Sequence, residues 1–103
     1  MRYPATIHSA EARKLWRLLS SFCEDEKNKV ILSSALEALQ RLRQAQEILD
    51  TDGLMILDRY GTKRSHPMLL IERDNRTLFI KALRELPIEA NIISDDEMAF
   101  DAL

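Results

Sequence analysis

Apolar residues recur along this chain at helical spacing in three separate stretches, and a short alternating stretch lies between the second and the third. Ala12, Leu15, Trp16, Leu19, Phe22 and Cys23 fall on one face of a helix. Ser9 is placed to cap it and Glu11 to favour its positive end. The spacing predicts a helix over residues 9–23, after an irregular start in which Pro4 biases Tyr3 away from helical dihedrals. Residues 24–29 are charged and read as a joint.

The second stretch is the longest. Leu32, Ala35, Leu36, Leu39, Leu42, Ile48 and Leu49 keep the helical period for nearly seven turns, with Ala38 and Ala45 placed to let a neighbouring helix come close. Ala, Leu, Gln, Glu and Arg, all good helix formers, dominate it. Thr51-Asp52-Gly53 ends it, with the glycine as a left-handed stop. The period then changes from 3.6 to 2. Leu54, Ile56 and Asp58 alternate with Met55, Leu57 and Arg59, and Tyr60-Gly61-Thr62-Lys63 has the composition of a tight turn. This predicts a short β-hairpin, which must pack on the helices or on another subunit to be stable in water.

The last helix opens at Ser65-His66-Pro67. Proline suits the first helical position, and Ser65 and His66 are the candidate caps. Leu70, Ile71, Leu78, Phe79, Ala82, Leu83 and Leu86 form its expected apolar face; Asn75 falls within it as a buried polar contact or a register device, and Pro87 stops the helix. The expected fold is therefore mainly α: a helical hairpin plus a third helix, with a short β-hairpin inserted between the second and third helices. Residues 1–8 form an irregular N-terminus, residues 9–90 the helical domain, and residues 91–103 an acidic tail expected to be flexible or ordered by a partner.

Composition adds bounds. A chain of 103 residues with 46% hydrophobic and 31% charged residues is one globular domain of modest core. Its net charge of −2 carries no general nucleic-acid signature, but the charge is unevenly placed. Residues 54–86 hold seven basic side chains against four acidic, whereas residues 87–103 hold five acidic and none basic. The single cysteine, Cys23, excludes an internal disulfide, fits a reducing cytoplasm, and reads as core packing. No run approaches the roughly 20 apolar residues that span a bilayer, so no membrane is expected. Nothing marks an enzyme: no zinc-ligand spacing, no glycine-rich phosphate loop and no nucleophile elbow, so no catalytic residue, metal or cofactor is assigned.

The order of features is more telling than any one of them. A tryptophan-bearing helix precedes SSALEALQRLRQAQEILDTDG; YGTKRSHP follows, and leads into MLLIERDNRTLFIKALRELPI. Over about residues 9–90 the chain resembles the small subunit of phage terminase. The family ending is usually Leu-Gly-Leu-like where this chain has Leu86-Pro87-Ile88, and its members often carry a leader segment ahead of the first helix, where this sequence is short. The resemblance implies a non-catalytic DNA-packaging protein of the host cytoplasm, phage or prophage encoded. Such subunits assemble as rings, recognise viral double-stranded DNA near its packaging start and deliver it to the terminase large subunit.

Candidate residues follow. Arg59, Lys63 and Arg64, with His66 beside them, would contact phosphate from the hairpin; equally, such cations keep a turn soluble and block edge pairing. Arg13, Lys14 and Arg17 share a helix face that could track a DNA backbone or simply be solvated. Arg41 and Arg43 read as intersubunit polar contacts or solvated side chains. Leu32, Leu39, Leu42 and Leu49 are candidates for both core and subunit seam. Asp95, Asp96, Glu97, Met98 and Phe100 could dock the large subunit. The alternative function is a helical protein-interaction or regulatory module that binds no DNA.

Overall fold

The computed structural model describes residues 3–87; Asp95, Asp96, Glu97, Met98 and Phe100, the expected docking segment, lie outside the described residues. Helix α1 (Ala10–Leu19) continues as a single 3-10 turn (Ser20–Phe22) and is followed by α2 (Glu26–Asp52). Strands β1 (Met55–Leu57) and β2 (Lys63–Ser65) form an antiparallel pair, and α3 (Met68–Arg84) closes the order. The expected architecture is the observed one. The long helix α2, about 40 Å at 1.5 Å per residue, packs against α1 along its N-terminal half and against α3, with the hairpin at its C-terminal end.

Local rules explain most boundaries. The Ser9 hydroxyl accepts the Ala12 N–H (3.1 Å), the side-chain cap expected of it. The first helix is shorter than expected, because the chain tightens to three residues per turn after Leu19. That tightening rotates Phe22 out to 40% exposure, whereas Cys23 remains fully buried. Burial pushes the Cys23 thiol up, with Lys29 opposing it, which leaves an unreactive packed sulfur. Helix α2 starts inside the charged joint, at Glu26, with the Asp25 carbonyl accepting the Lys29 N–H (3.0 Å).

The core is one cluster. Leu32, Ala35, Leu36, Ala38, Leu39 and Leu42 of α2 meet Leu15, Trp16 and Leu19 of α1 and Phe79 of α3, and Ile7 and Leu86 from outside the helices join them. This corrects the assignment of Leu32, Leu39, Leu42 and Leu49 to a subunit seam: all four are at most 5% exposed within a single chain. Two helices consume these four positions, so none of the four is left for a neighbour. Arg41 and Arg43 are also used within the chain. Arg41 donates to Asn75 Oδ1 across the α2–α3 contact (3.0 Å), while Arg43 holds Glu11 of α1 through two nitrogens (3.0 and 3.1 Å). Asn75 is the buried polar contact expected, and its Nδ2 donates to the Ile71 carbonyl (2.8 Å).

The expected apolar face of α3 is only partly buried. Phe79 and Leu86 are inside, but Leu70, Ile71 and Leu78 are 56%, 39% and 53% exposed. Facing α2 is the arc through Asn75 and Phe79, and Leu70 lies on the far side of the helix from it. Ile48 of α2 likewise sits outside, at 40% exposure.

One polar side chain organises the N-terminal segment. Gln40 is buried at the middle of α2; its Oε1 accepts the His8 and Ser9 N–H groups (2.7 and 3.0 Å) and its Nε2 donates to the Thr6 carbonyl (2.9 Å). These are backbone groups with no helical partner, and each would cost about 1–3 kcal/mol if left dry and unpaired. Gln40→Ala is accordingly expected to lower stability by about 2–4 kcal/mol in urea unfolding, more than an average surface change. A loss below about 0.5 kcal/mol would show that water replaces the side chain.

Candidate nucleic-acid interface

The hairpin is a finger set on the ends of α2 and α3, and its geometry begins at Gly53. The Gly53 N–H closes α2 on the Leu49 carbonyl (2.8 Å), with φ 82° and ψ 171°. The positive φ matches the expectation, but the extended ψ does not belong to a left-handed helical stop. This dihedral region is essentially reserved for glycine, and it sends the chain straight into β1 rather than curling it back over the helix. The register pairs Met55 with Ser65, Ile56 with Arg64 and Leu57 with Lys63, and the His66 N–H extends the ladder to the Leu54 carbonyl (2.9 Å).

The turn lies two residues earlier than expected. Asp58 and Thr62 bracket the three-residue loop Arg59-Tyr60-Gly61: the Asp58 N–H donates to the Thr62 carbonyl and the Gly61 N–H to the Asp58 carbonyl (both 3.0 Å). Gly61 takes φ 76°, as such loops require at their last position. Asp58 sets the register of this tip. Its Oδ1 accepts the Tyr60 and Thr62 N–H groups (2.8 and 2.9 Å) and its Oδ2 the Arg64 Nε–H (2.8 Å). The Arg64 bond, followed by the Thr62 N–H, holds its carboxyl below the usual carboxylate range. The signal was present in the sequence as Asp followed three residues later by Gly, the preference of a type I turn.

His66 seals the other end. Its Nδ1 accepts the Met68 N–H (3.1 Å), its carbonyl accepts the Leu69 N–H (3.0 Å), and its Nε2 lies 2.9 Å from Asp52 Oδ2 at the end of α2. These partners set the tautomer with the proton on Nε2. Pro67 already has helical dihedrals (φ −57°, ψ −28°), as its position suggested, while Ser65 belongs to β2 and caps nothing. With both ring nitrogens engaged and only 8% exposure, His66 is a capping and clamping residue, not an available DNA contact.

The three finger cations are all exposed, but they do not form one surface. Alternation along β2 puts Lys63 on the face with Met55 and Leu57, and Arg64 on the opposite face with Ile56, held by Asp58. Arg59 at the tip lies over the Tyr60 ring at 5.0 Å. On α1, Arg13 is engaged locally, donating to the Ile7 carbonyl (3.3 Å) and lying over the Tyr3 ring (4.5 Å), while Lys14 and Arg17 are exposed. The first turn of α1 is tied to α2 at Arg43, ten residues or roughly 15 Å before Gly53, and no hydrogen bond or ion pair joins Lys14 or Arg17 to the finger among the described residues.

What sequence reasoning missed is the apolar side of the finger. Leu54, Met55, Leu57 and Tyr60 are 60%, 51%, 67% and 77% exposed, whereas Ile56 and Asp58 are half-buried and His66 is buried. The hairpin is therefore held by its base and by Asp58 more than by packing. Among the described residues no group of three or more His, Cys, Asp or Glu side chains could hold a metal, and no helix is long and apolar enough to cross a membrane. No family model, no curated protein and no solved structure matches the chain.

Three outcomes test this geometry. Gly53→Ala would place its Cβ in open space, yet it is expected to cost about 1–3 kcal/mol from backbone conformation alone, read by thermal unfolding. Because the Asp58 carboxyl is held below its unfolded value, the unfolded chain binds more protons between the two values and stability rises with pH there. The finger is thus expected to be fully ordered above about pH 5 and to loosen as pH falls below the ordinary value near 3.9, followed by the Tyr60 and Thr62 amide signals. Asp58→Asn keeps the oxygen acceptor and should flatten that acid dependence.

Proposed function

We propose that this chain is a non-catalytic DNA-recognition and adaptor subunit of a viral DNA-packaging terminase. On this reading it assembles with copies of itself and delivers viral double-stranded DNA to the large ATPase/nuclease subunit. The observation that carries the proposal is the finger. A hairpin fixed at its base by Gly53 and the His66–Asp52 contact presents Arg59, Lys63 and Arg64 beyond the ends of the two longest helices. The order of elements along the chain adds to this, as it follows the resemblance to terminase small subunits.

A single finger neutralises only a few phosphates. Each contact lowers the logarithm of affinity by about 0.9 per decade of salt, so one protomer binds duplex weakly and several fingers on one duplex bind it together. Self-association in this reading uses exposed apolar positions such as Leu57, Leu70 and Leu78, in place of the buried leucines of α2. A second reading, a protein-interaction module that binds no DNA, is favoured by that same exposed apolar surface, which suits a protein partner as well as a second copy.

Light scattering with and without duplex, together with a salt titration of binding, separates the two. The adaptor reading expects an assembly above a dimer and steep salt dependence. Lys63→Gln is expected to reduce the salt slope by about one per engaged finger; Arg64→Gln should change it less, because Asp58 already holds that guanidinium. A protein that stays monomeric and ignores duplex at low salt would overturn the proposal in favour of the interaction module.

A further inference from the structure

The two strands of the finger leave two open edges, and the edges differ in chemistry. The His66 N–H bonds the Leu54 carbonyl and the Asp58 N–H bonds the Thr62 carbonyl, so the backbone groups of Leu54, Ile56 and Asp58 point toward β2. Alternation turns the N–H and C=O groups of Met55 and Leu57 the other way. Among the described residues no other segment bonds to them. Both residues are more than half exposed, so this edge is open to solvent. On the far side of β2 the outward groups are those of Lys63 and Ser65.

Exposed strand edges are ordinarily blunted by charge, proline or a bulge, because they template pairing with another chain. Lys63 and Arg64 blunt β2 in this way. Along β1 the run Leu54-Met55-Ile56-Leu57 carries no charge and no proline, and its pairing with β2 has no bulge. Two copies of β2 meeting about a twofold axis would set one Arg64 directly opposite the other, at the closest pairing distance, where like charges repel. Two copies of β1 set Ile56 against Ile56 instead, a β-branched apolar pair. The same register places Met55 of each copy opposite Leu57 of the other. All outward groups of one edge then face their complements on the other, which gives four main-chain hydrogen bonds.

We propose that this chain associates with a second copy of itself by antiparallel pairing of β1, making a four-stranded sheet in the order β2–β1–β1–β2. Met55 and Leu57 of both copies gather on one face of that sheet as a shared apolar patch, with a Lys63 on either side of it. Three strand spacings, about 14 Å, separate the two lysine-bearing strands. Because the paired strands are antiparallel, the two helical bodies lie toward opposite ends of the sheet. Strands of three residues bury far less than the roughly 1,200 Å² of a stable interface, so the dimer forms and dissociates with protein concentration. The proposal rests on the self-association in the function proposed above and gives it a mode, independently of DNA. A twofold contact stops at two copies, so a larger assembly needs a further contact elsewhere.

Amide hydrogen exchange on the full chain, without DNA and over a range of protein concentrations, tests the pairing. The Met55 and Leu57 amides are expected to slow as concentration rises to the millimolar range, in step with the dimer mass by light scattering, while the Lys63 and Ser65 amides do not change. Leu57→Pro removes one outward N–H from each copy, at a position where an edge strand accepts proline. It should weaken dimerisation at least about tenfold, with the Tyr60 and Thr62 amide signals in place. If those signals are lost, the hairpin itself has failed, and Leu57→Lys, which keeps the N–H but adds a cation to the edge, decides by the same loss of dimer. A monomer at every concentration, or a dimer undiminished in an intact variant, would overturn the proposal. So would a dimer whose Met55 and Leu57 amides stay unprotected. Protection of Lys63 and Ser65 together with Met55 and Leu57 would overturn it in favour of head-to-tail pairing of β1 with β2. A monomer that binds duplex removes the strand pairing and leaves the DNA reading, whereas a β1-paired dimer that ignores duplex does the reverse.

Discussion

Every element of this protein takes its place from the apolar stripe of α2. Leu32, Leu36, Leu39 and Leu42 are at most 1% exposed because α1 covers them from one side and α3 from the other. Fully burying each such side chain contributes on the order of 1.5–3 kcal/mol. Ala35, Ala38 and Ala45, also within the buried arc, keep both neighbours near. A helix shared in this way keeps little apolar surface outside, Val30 and Ile48 apart, so most of the apolar surface open to another molecule is what α1, α3 and the hairpin leave outside. In a chain of this size that residue of exposed apolar side chains is considerable: Leu54, Met55, Leu57, Leu70 and Leu78 are each more than half exposed.

The finger solves a different problem. Two strands of three residues cannot stand in water on their own ladder, and the exposed outer face of this pair adds little by packing. Its stability comes from polar closure at both ends. At the base, Gly53 redirects the chain and His66 joins the end of α2 to the start of α3; at the tip, one carboxylate accepts three donors. Because these bonds order the hairpin before any partner arrives, less conformational entropy is lost on binding than with a mobile loop of the same charge. In the function proposed above, pre-ordering of that kind is what would let a small number of cations act as a defined contact.

The same frame orders the polar contacts. Gln40, Arg41 and Arg43 lie within one turn of α2, yet each reaches a different segment: Gln40 the chain before α1, Arg41 the middle of α3, and Arg43 the first turn of α1. Most of these bonds are partly exposed and modest individually. Their role is positional, since they set the rotation of both outer helices about α2 while the apolar stripe supplies the attraction.

Much of this was decided by sequence alone. Helical periodicity determines that α1, α2 and α3 exist. The Ser9 cap, the positive φ at Gly53 and the placement of Pro67 are local preferences, which need no tertiary context. The change of period after residue 53 likewise predicts the hairpin, because alternation is a property of neighbouring residues. What the tertiary structure decided is which apolar residues are inside. Leu39 and Leu78 look alike in the pattern, but one is 1% and the other 53% exposed, since burial depends on where the partner helix lies. Strand register separated Lys63 from Arg64, and the Asp58 side chain set the turn. His66 became a clamp through Asp52, fourteen residues earlier in the chain. Periodicity states that a face exists; only the packed neighbours, acting over distances that local sequence does not encode, determine what that face meets.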